Sequence, residues 1–159
     1  MKQKVSDYIA EYIAQWGIRD VFTVTGGGAM HMNDAFGHHK MLHCTYQHHE
    51  QACAMAAEAY ARLGNKMAAV CVTTGPGATN AITGVLGAWM DSIPMLVFSG
   101  QARYATTVSA SGLPLRSMGV QECNIVPVVK SLTKYAHMIV HPENIRYHLE
   151  KALYLAQSG

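Results

Sequence analysis

Two short runs of residues carry the clearest chemistry in this chain. Gln47-His48-His49-Glu50-Gln51 sets one carboxylate among polar neighbours, and Thr73-Thr74-Gly75-Pro76-Gly77-Ala78-Thr79-Asn80 combines hydroxyls and an amide with a tight glycine turn. A carboxylate can share a proton with a ring nitrogen. A glycine turn lets backbone meet the edge of a flat ring, because no Cβ stands in the way. Together the runs suit a flat heteroaromatic ligand. Each alone has a plainer reading. A glutamate in a first helical turn commonly just complements the helix dipole. Gly-Pro-Gly is commonly only a turn, and His49 by itself reads as a satisfied polar residue. The combination and its order carry the functional reading.

The surrounding pattern says what must position these runs. Val5, Tyr8, Ile9, Tyr12, Ile13 and Trp16 recur at helical spacing, and Gly17 closes that helix. Residues 21–25 read as a strand ending in Gly26-Gly27-Gly28, with a short helix over 29–36. Residues 42–46, 67–73 and 95–99 read as further strands, and residues 49–63 and 78–90 as helices. The run 67–73 is continuously apolar, as in a strand buried on both faces. Residues 100–119 form a long loop of the length that usually serves function. One or two helical turns follow at 121–126, then an alternating strand within 129–140. Pro142 opens a final helix, with Glu143 in its first turn, that runs to Leu155. Strands alternate with helices, so the expected class is α/β, with a mostly parallel sheet flanked by helices on both faces. Both chemical runs then lie at the carboxyl edge of the sheet, where open α/β folds bind ligands.

Composition narrows the field. The 159 residues suffice for one domain with a real core, and 50% are hydrophobic while only 14% are charged. So low a charge density points to a surface covered by another domain or chain. A net charge of +2 without a basic run argues against a nucleic-acid partner. No stretch of apolar residues is long enough to span a bilayer, and Met1-Lys2-Gln3-Lys4 does not open a signal peptide, so a cytoplasmic protein without membrane contact is expected. Four cysteines without Cys-x-x-Cys spacing read as reduced thiols, with Cys44 and Cys71 in buried strands. Nine histidines include the adjacent pairs His38-His39 and His48-His49, whose members point apart on a helix, and no His-Glu-x-x-His occurs, so no metal site is expected. Met30, Met32, Met90 and Met95 read as core filler. The chain stops at Gln157-Ser158-Gly159 after a helix, where an alternating fold would add a strand, so a piece of a longer protein is expected.

Other glycine-loop readings are weaker. A dinucleotide fingerprint at Gly26 would need glycine at the position of His31. Glu50 lies at the usual distance for a ribose-binding acid, but at a helix start rather than a strand tip. The Gly75 loop lacks the Gly-Lys-Ser/Thr ending of a phosphate-binding P-loop.

In combination, the motifs resemble the amino-terminal, pyrimidine-binding domain of thiamine-diphosphate-dependent enzymes, most of all the acetolactate synthase and pyruvate oxidase group. His49-Glu50-Gln51 with residues 54–62 is similar to that family's catalytic-glutamate helix. Thr73 to Asn80, then Ala88, Asp91-Ser92-Ile93-Pro94 and Ser99-Gly100-Gln101, resembles its most recognisable stretch. Thr25-Gly26-Gly27-Gly28-Ala29 stands where the family has a Tyr-Pro-Gly-Gly-Ala type of loop, and Val120 where acetolactate synthases commonly carry phenylalanine before Gln121-Glu122.

The resemblance implies a fold of the pyrimidine-binding type across residues 1–159, one part of a three-domain enzyme. It implies that Glu50 hydrogen-bonds the N1′ nitrogen of thiamine diphosphate and so promotes removal of the thiazolium proton. Thr25, Gly26, Thr73, Pro76 and Asn80 would border the pyrimidine, with Gln101 and Gln121 toward a 2-oxo acid substrate. Magnesium would be held outside this chain, since the family's Gly-Asp-Gly and Asn-Asn signature is absent, and FAD is possible in the complete protein. The cofactor would lie between this domain and another, usually in a homodimer. Two alternatives stay open: a Rossmann-like nucleotide-binding module, and a non-catalytic partner subunit contributing half a site.

Overall fold

Apolar strands that alternate with one-sided helices can bury themselves only by layering helices over a sheet. The computed structural model, which describes residues 3–159, shows how this chain does so. Helix α1 (Val5–Trp16) turns Ile9, Ala10, Ile13 and Ala14 inward and ends at Gly17, whose φ of +108° suits a residue without Cβ. Strand β1 (Asp20–Thr23) leads through one 3-10 turn (Gly27–Ala29) into α2 (Met30–His38). Then come β2 (His43–Tyr46), α3 (Glu50–Gly64), β3 (Ala68–Val72), α4 (Pro76–Asn80), α5 (Ile82–Met90) and β4 (Met95–Ser99).

The four strands are all parallel, in the order β2-β1-β3-β4. Parallel strands need crossover connections, and these are right-handed. The step from β1 to β2 runs one way along the sheet, and the steps to β3 and β4 run the other. Their helices therefore take opposite faces. On one face Ile13 of α1, Ile18 in the connection that follows it and Phe36 of α2 pack against Val21 and Cys71. On the other, Cys53 and Ala57 of α3, Ala81 between α4 and α5, and Val85 of α5 pack against Val70 and Val72. All five residues of β3 are buried, as its continuous apolar run requires.

Beyond β4 the chain is mostly irregular. A 3-10 turn (Tyr104–Thr106) and the short helices α6 (Val108–Ser111) and α7 (Ile125–Val129) interrupt it. A third 3-10 turn (Pro142–Asn144) then opens α8 (Ile145–Gln157), which sends Leu149 and Leu153 into the first core.

Several expectations are corrected. No strand forms within 129–140. There Tyr135 hydrogen-bonds His148 and His137 stacks on the same ring, so the segment packs on α8 instead of pairing with β4. Its half-buried Leu132, Ala136 and Met138 help to line an apolar cavity of about 560 Å³ beside β4. The helix expected over 78–90 begins earlier, at Pro76, and breaks at Ala81 into α4 and α5. Strand β1 stops at Thr23, short of Thr25. Cys44 is only half-buried, because β2 is an edge strand. Met30 and Met90 are 57% and 74% exposed, since each sits on the outer side of its helix, while Met32 and Met95 do pack against the cores. All four cysteines are free thiols. Among the described residues no helix is long and apolar enough to cross a membrane.

Candidate functional site

In an all-parallel sheet every strand ends at the same edge. The loop after β1, the first turn of α3 after β2, the turn after β3 and the loop after β4 therefore meet there. The connections diverge between β1 and β3, which makes that edge a topological switch point. Glu50, Thr73, Pro76, Gly77, Thr79, Asn80 and Gln121 line one open cavity of about 540 Å³ at this place.

The turn after β3 is shaped by two residues. Gly75 takes φ +60° and ψ −119°, a conformation that a side chain would strain. Pro76 then starts α4, where its fixed φ suits the first helical position. One turn later Asn80 reaches α3, and its Nδ2 donates to Glu50 Oε2 at 2.6 Å. Among the described residues no protein donor reaches Oε1. A Cβ on Gly77 would stand 3.4 Å from that oxygen, so the glycine leaves its neighbourhood open. The half-buried carboxylate thus has one oxygen held and one available beside the cavity.

Thr73 joins the first glycine loop to the second. Its Oγ1 accepts the Gly28 N–H at 3.0 Å. A Cβ on Gly26 would lie 2.5 Å from Thr73 Cβ, and one on Gly77 would lie 2.6 Å from Thr73 Cγ2. These two glycines permit close approach around a β-branched side chain. The first loop is no pyrophosphate cradle: its Gly28 N–H is taken by Thr73, and its Ala29 N–H by Gly26 O.

The sequence-predicted residues divide into groups. Glu50, Thr73, Pro76, Asn80 and Gln121 come together on the cavity. Gly26 packs behind Thr73, and Thr25 is exposed, outside the cavity lining. Gln101 also stands off the lining, with its amide engaged by protein. Its Oε1 accepts from Thr74 Oγ1 and Ala102 N, each at 2.8 Å, and its Nε2 donates to Cys123 O at 2.8 Å. Sequence reasoning assigned no role to Gly77, Thr79 or Thr74. The Gly-Pro-Gly run was a signal for Gly77. Nothing in the spacing marks Thr74, whose burial depends on residues 121–123 folding back over it.

One other group borders α3. Burial pushes the Cys53 thiol up to about 11, and the charge of Glu50 adds to the effect. That thiol stays protonated at neutral pH and offers no competing nucleophile. Among the described residues no three His, Cys, Asp or Glu side chains are placed to hold a metal ion.

Comparison with known proteins agrees with this geometry. Residues 3–114 match the family described as "Thiamine pyrophosphate enzyme, N-terminal TPP binding domain". Acetolactate synthase 2, chloroplastic, of Zea mays is 34% identical over 160 residues, covering 99% of this chain and 23% of its own length. Acetolactate synthase, chloroplastic, of Arabidopsis thaliana is 33% identical, with coverage of 99% and 22%. The acetolactate synthase large subunit of Buchnera aphidicola is 35% identical over 154 residues, covering 97% and 26%. The chain thus spans about a quarter of the length of the curated relatives it matches. With the family match across most of its residues and a parallel α/β sheet that brings Glu50 to the Gly75 turn, this chain belongs to the thiamine pyrophosphate enzymes, as a domain of their N-terminal TPP-binding kind.

Proposed function

We propose that this domain holds and activates the aminopyrimidine of thiamine diphosphate in an acetolactate-synthase-like enzyme that decarboxylates or joins 2-oxo acids. The observation that carries the reading is the Glu50 carboxylate. Asn80 orients one of its oxygens, and the other borders a cavity with Gly77 on its wall.

The residues present fit the group. An aminopyrimidine is flat and carries a basic nitrogen at its edge. It needs a carboxylate in its plane, backbone that can come close, and short side chains around it. Glu50, Gly77, Thr73 and Pro76 are of those kinds. When bound, thiamine diphosphate supplies the electron sink for breaking or making the bond beside a 2-oxo group.

What this chain contributes is position and a proton. Glu50 Oε1 would hold a proton toward the ring nitrogen N1′, and Asn80 holds the other carboxylate oxygen in place. A hydrogen bond with a charged partner contributes about 1.5–3 kcal/mol. Acid–base assistance of this kind supplies about 10²–10⁴ in rate. The charged tail of the cofactor, with its magnesium, needs ligands from elsewhere in the enzyme. A second subunit is a natural source, and the exposed Leu63, Trp89 and Met90 on α3 and α5 leave apolar surface for one to cover.

Glu50→Gln tests the reading. It keeps the shape and removes the shared charge. In the complete enzyme it should abolish most turnover of the 2-oxo acid while leaving the melting temperature within a degree or two. Retained turnover rules out the proton role.

A further inference from the structure

The last wall of the cavity comes from far along the chain, at Gln121. Gln121 is the third residue of a turn that closes with the Glu122 N–H donating to Gly119 O at 3.1 Å. Its φ is +56°, in the left-handed region. That turn position ordinarily takes glycine or asparagine, so glutamine there is strained. Such a conformation lasts only where the surroundings over-determine it.

The restraint is visible. Glu122 Oε1 accepts the Val108 N–H at 2.7 Å, and Oε2 accepts the Met118 and Gly119 N–H groups at 3.0 Å each. One carboxylate therefore ties the start of α6 to the far limb of the same loop. On either side of Glu122 the backbone is held by carbonyls. Thr74 Oγ1 shares its one proton between Gln101 Oε1 at 2.8 Å and Gln121 O at 3.2 Å, and Cys123 O accepts from Gln101 Nε2 at 2.8 Å. Gly75 makes the seat, since a Cβ there would lie 2.2 Å from Gln121 O.

We propose that Glu122 is a positioning residue of this site, clamping both limbs of the 108–119 loop so that Gln121 is held at the cavity in its strained backbone. The proposal rests on the functional reading of that cavity, and it gives Gln101 the part of a second latch. Glu122 touches no cavity atom and acts through Gln121.

Amide exchange in this chain tests the clamp independently of turnover. In Glu122→Ala the Val108, Met118 and Gly119 amides should exchange about tenfold faster or more, with β3 unaffected. Unchanged exchange at those three overturns the proposal. A readout on the unaltered chain covers the case of a variant that does not fold. Burial alone would push the Glu122 carboxyl up, but the Gly119, Val108 and Met118 amides outweigh it and hold it below the usual 4.5. A lowered carboxyl keeps its partners above the ordinary value and releases them as pH falls through its own. The three amide resonances should therefore shift together, with one midpoint below 4.5; separate midpoints overturn the clamp. In the complete enzyme, Glu122→Gln should raise KM for the 2-oxo acid about two- to tenfold and change kcat less. In a Gln121→Ala background it should raise KM no further. A full additional rise overturns the positioning role. Retained turnover in Glu50→Gln would instead sink the functional reading and leave the amide result standing.

Discussion

Replacing Gly77 by alanine adds one methyl group where the site is tightest. The new Cβ would meet Thr73 Cγ2 at 2.6 Å and Glu50 Oε1 at 3.4 Å. Thr73 cannot easily turn away, because its Oγ1 holds the Gly28 N–H and its Cβ already touches Gly26. Overpacking of this kind costs about 1–3 kcal/mol. Alanine returns up to about 1 kcal/mol through helix propensity, less in a first turn such as this. The net loss is about 1–2 kcal/mol, or a fall in melting temperature of roughly 2–8 °C for a chain of this size. The effect on binding should be larger than that on folding, since the methyl also stands beside the free oxygen of Glu50. Strain of about 1–3 kcal/mol in the bound state corresponds to about 5- to 150-fold in affinity. Gly64→Ala is the internal control: its Cβ would meet nothing within 4 Å, and it should stabilise by about 0.4–1 kcal/mol. Thermal melts of both variants, with a thiamine diphosphate titration of the complete enzyme, read out both effects. A Gly77→Ala protein that melts as high as the unaltered one and binds the cofactor equally would refute the reasoning.

Other outcomes follow from the same contacts. Gly84→Ala should destabilise by about 2–3 kcal/mol in denaturant titration, because its Cβ would lie 2.6 Å from Ala54 Cβ and 2.9 Å from the Met55 nitrogen, separating α5 from α3. Burial pushes the Cys71 thiol up to about 12 and Cys53 up to about 11 from an ordinary 9.0. A raised thiol favours the native state's proton, so stability should hold below pH 9 and fall as pH climbs toward those values. At pH 8 a thiol reagent should label Cys44 and Cys123 before either of them. The His148 ring is held below its usual 6.5 by burial, with the charges of His137 and Lys151 adding to the effect. Its contribution is therefore full above pH 6.5 and is lost as pH falls through the lower native value. Denaturation midpoints at pH 7.5 and 5 should differ less in His148→Gln than in the unaltered chain.

The readable parts of the fold are those where one periodicity admits one structure. Residues 68–72 are apolar without interruption, and only a central parallel strand buries both of their faces. The alanine-rich run from Glu50 can pack closely as a helix, and it does so through Cys53, Ala54 and Ala57. Residues 129–140 show the limit. Alternation records which side of a chain is apolar, not whether a neighbour offers hydrogen bonds. Here Tyr135 and His137 meet His148 on α8, while Leu132, Ala136 and Met138 line the cavity beside β4. At the site, Glu50 and the Gly75 turn were legible as types and as ends of strands. The hydrogen bond from Asn80 to Glu50 spans 30 residues, and the family resemblance implied only that both residues border the ring. The closeness of Gly26 to Thr73 depends on the loops after β1 and β3 meeting, and no linear spacing encodes it. Gln101 shows the same limit, because an amide's type does not say whether it faces a ligand or its own chain.

The most direct test of the Glu50 assignment is the ¹⁵N resonance of thiamine diphosphate labelled at N1′, bound to the complete enzyme and to its Glu50→Gln variant. The account predicts a resonance displaced toward the protonated ring in the unaltered protein, returning to the value of the free cofactor in the variant while the cofactor stays bound. The same resonance in both proteins would contradict it.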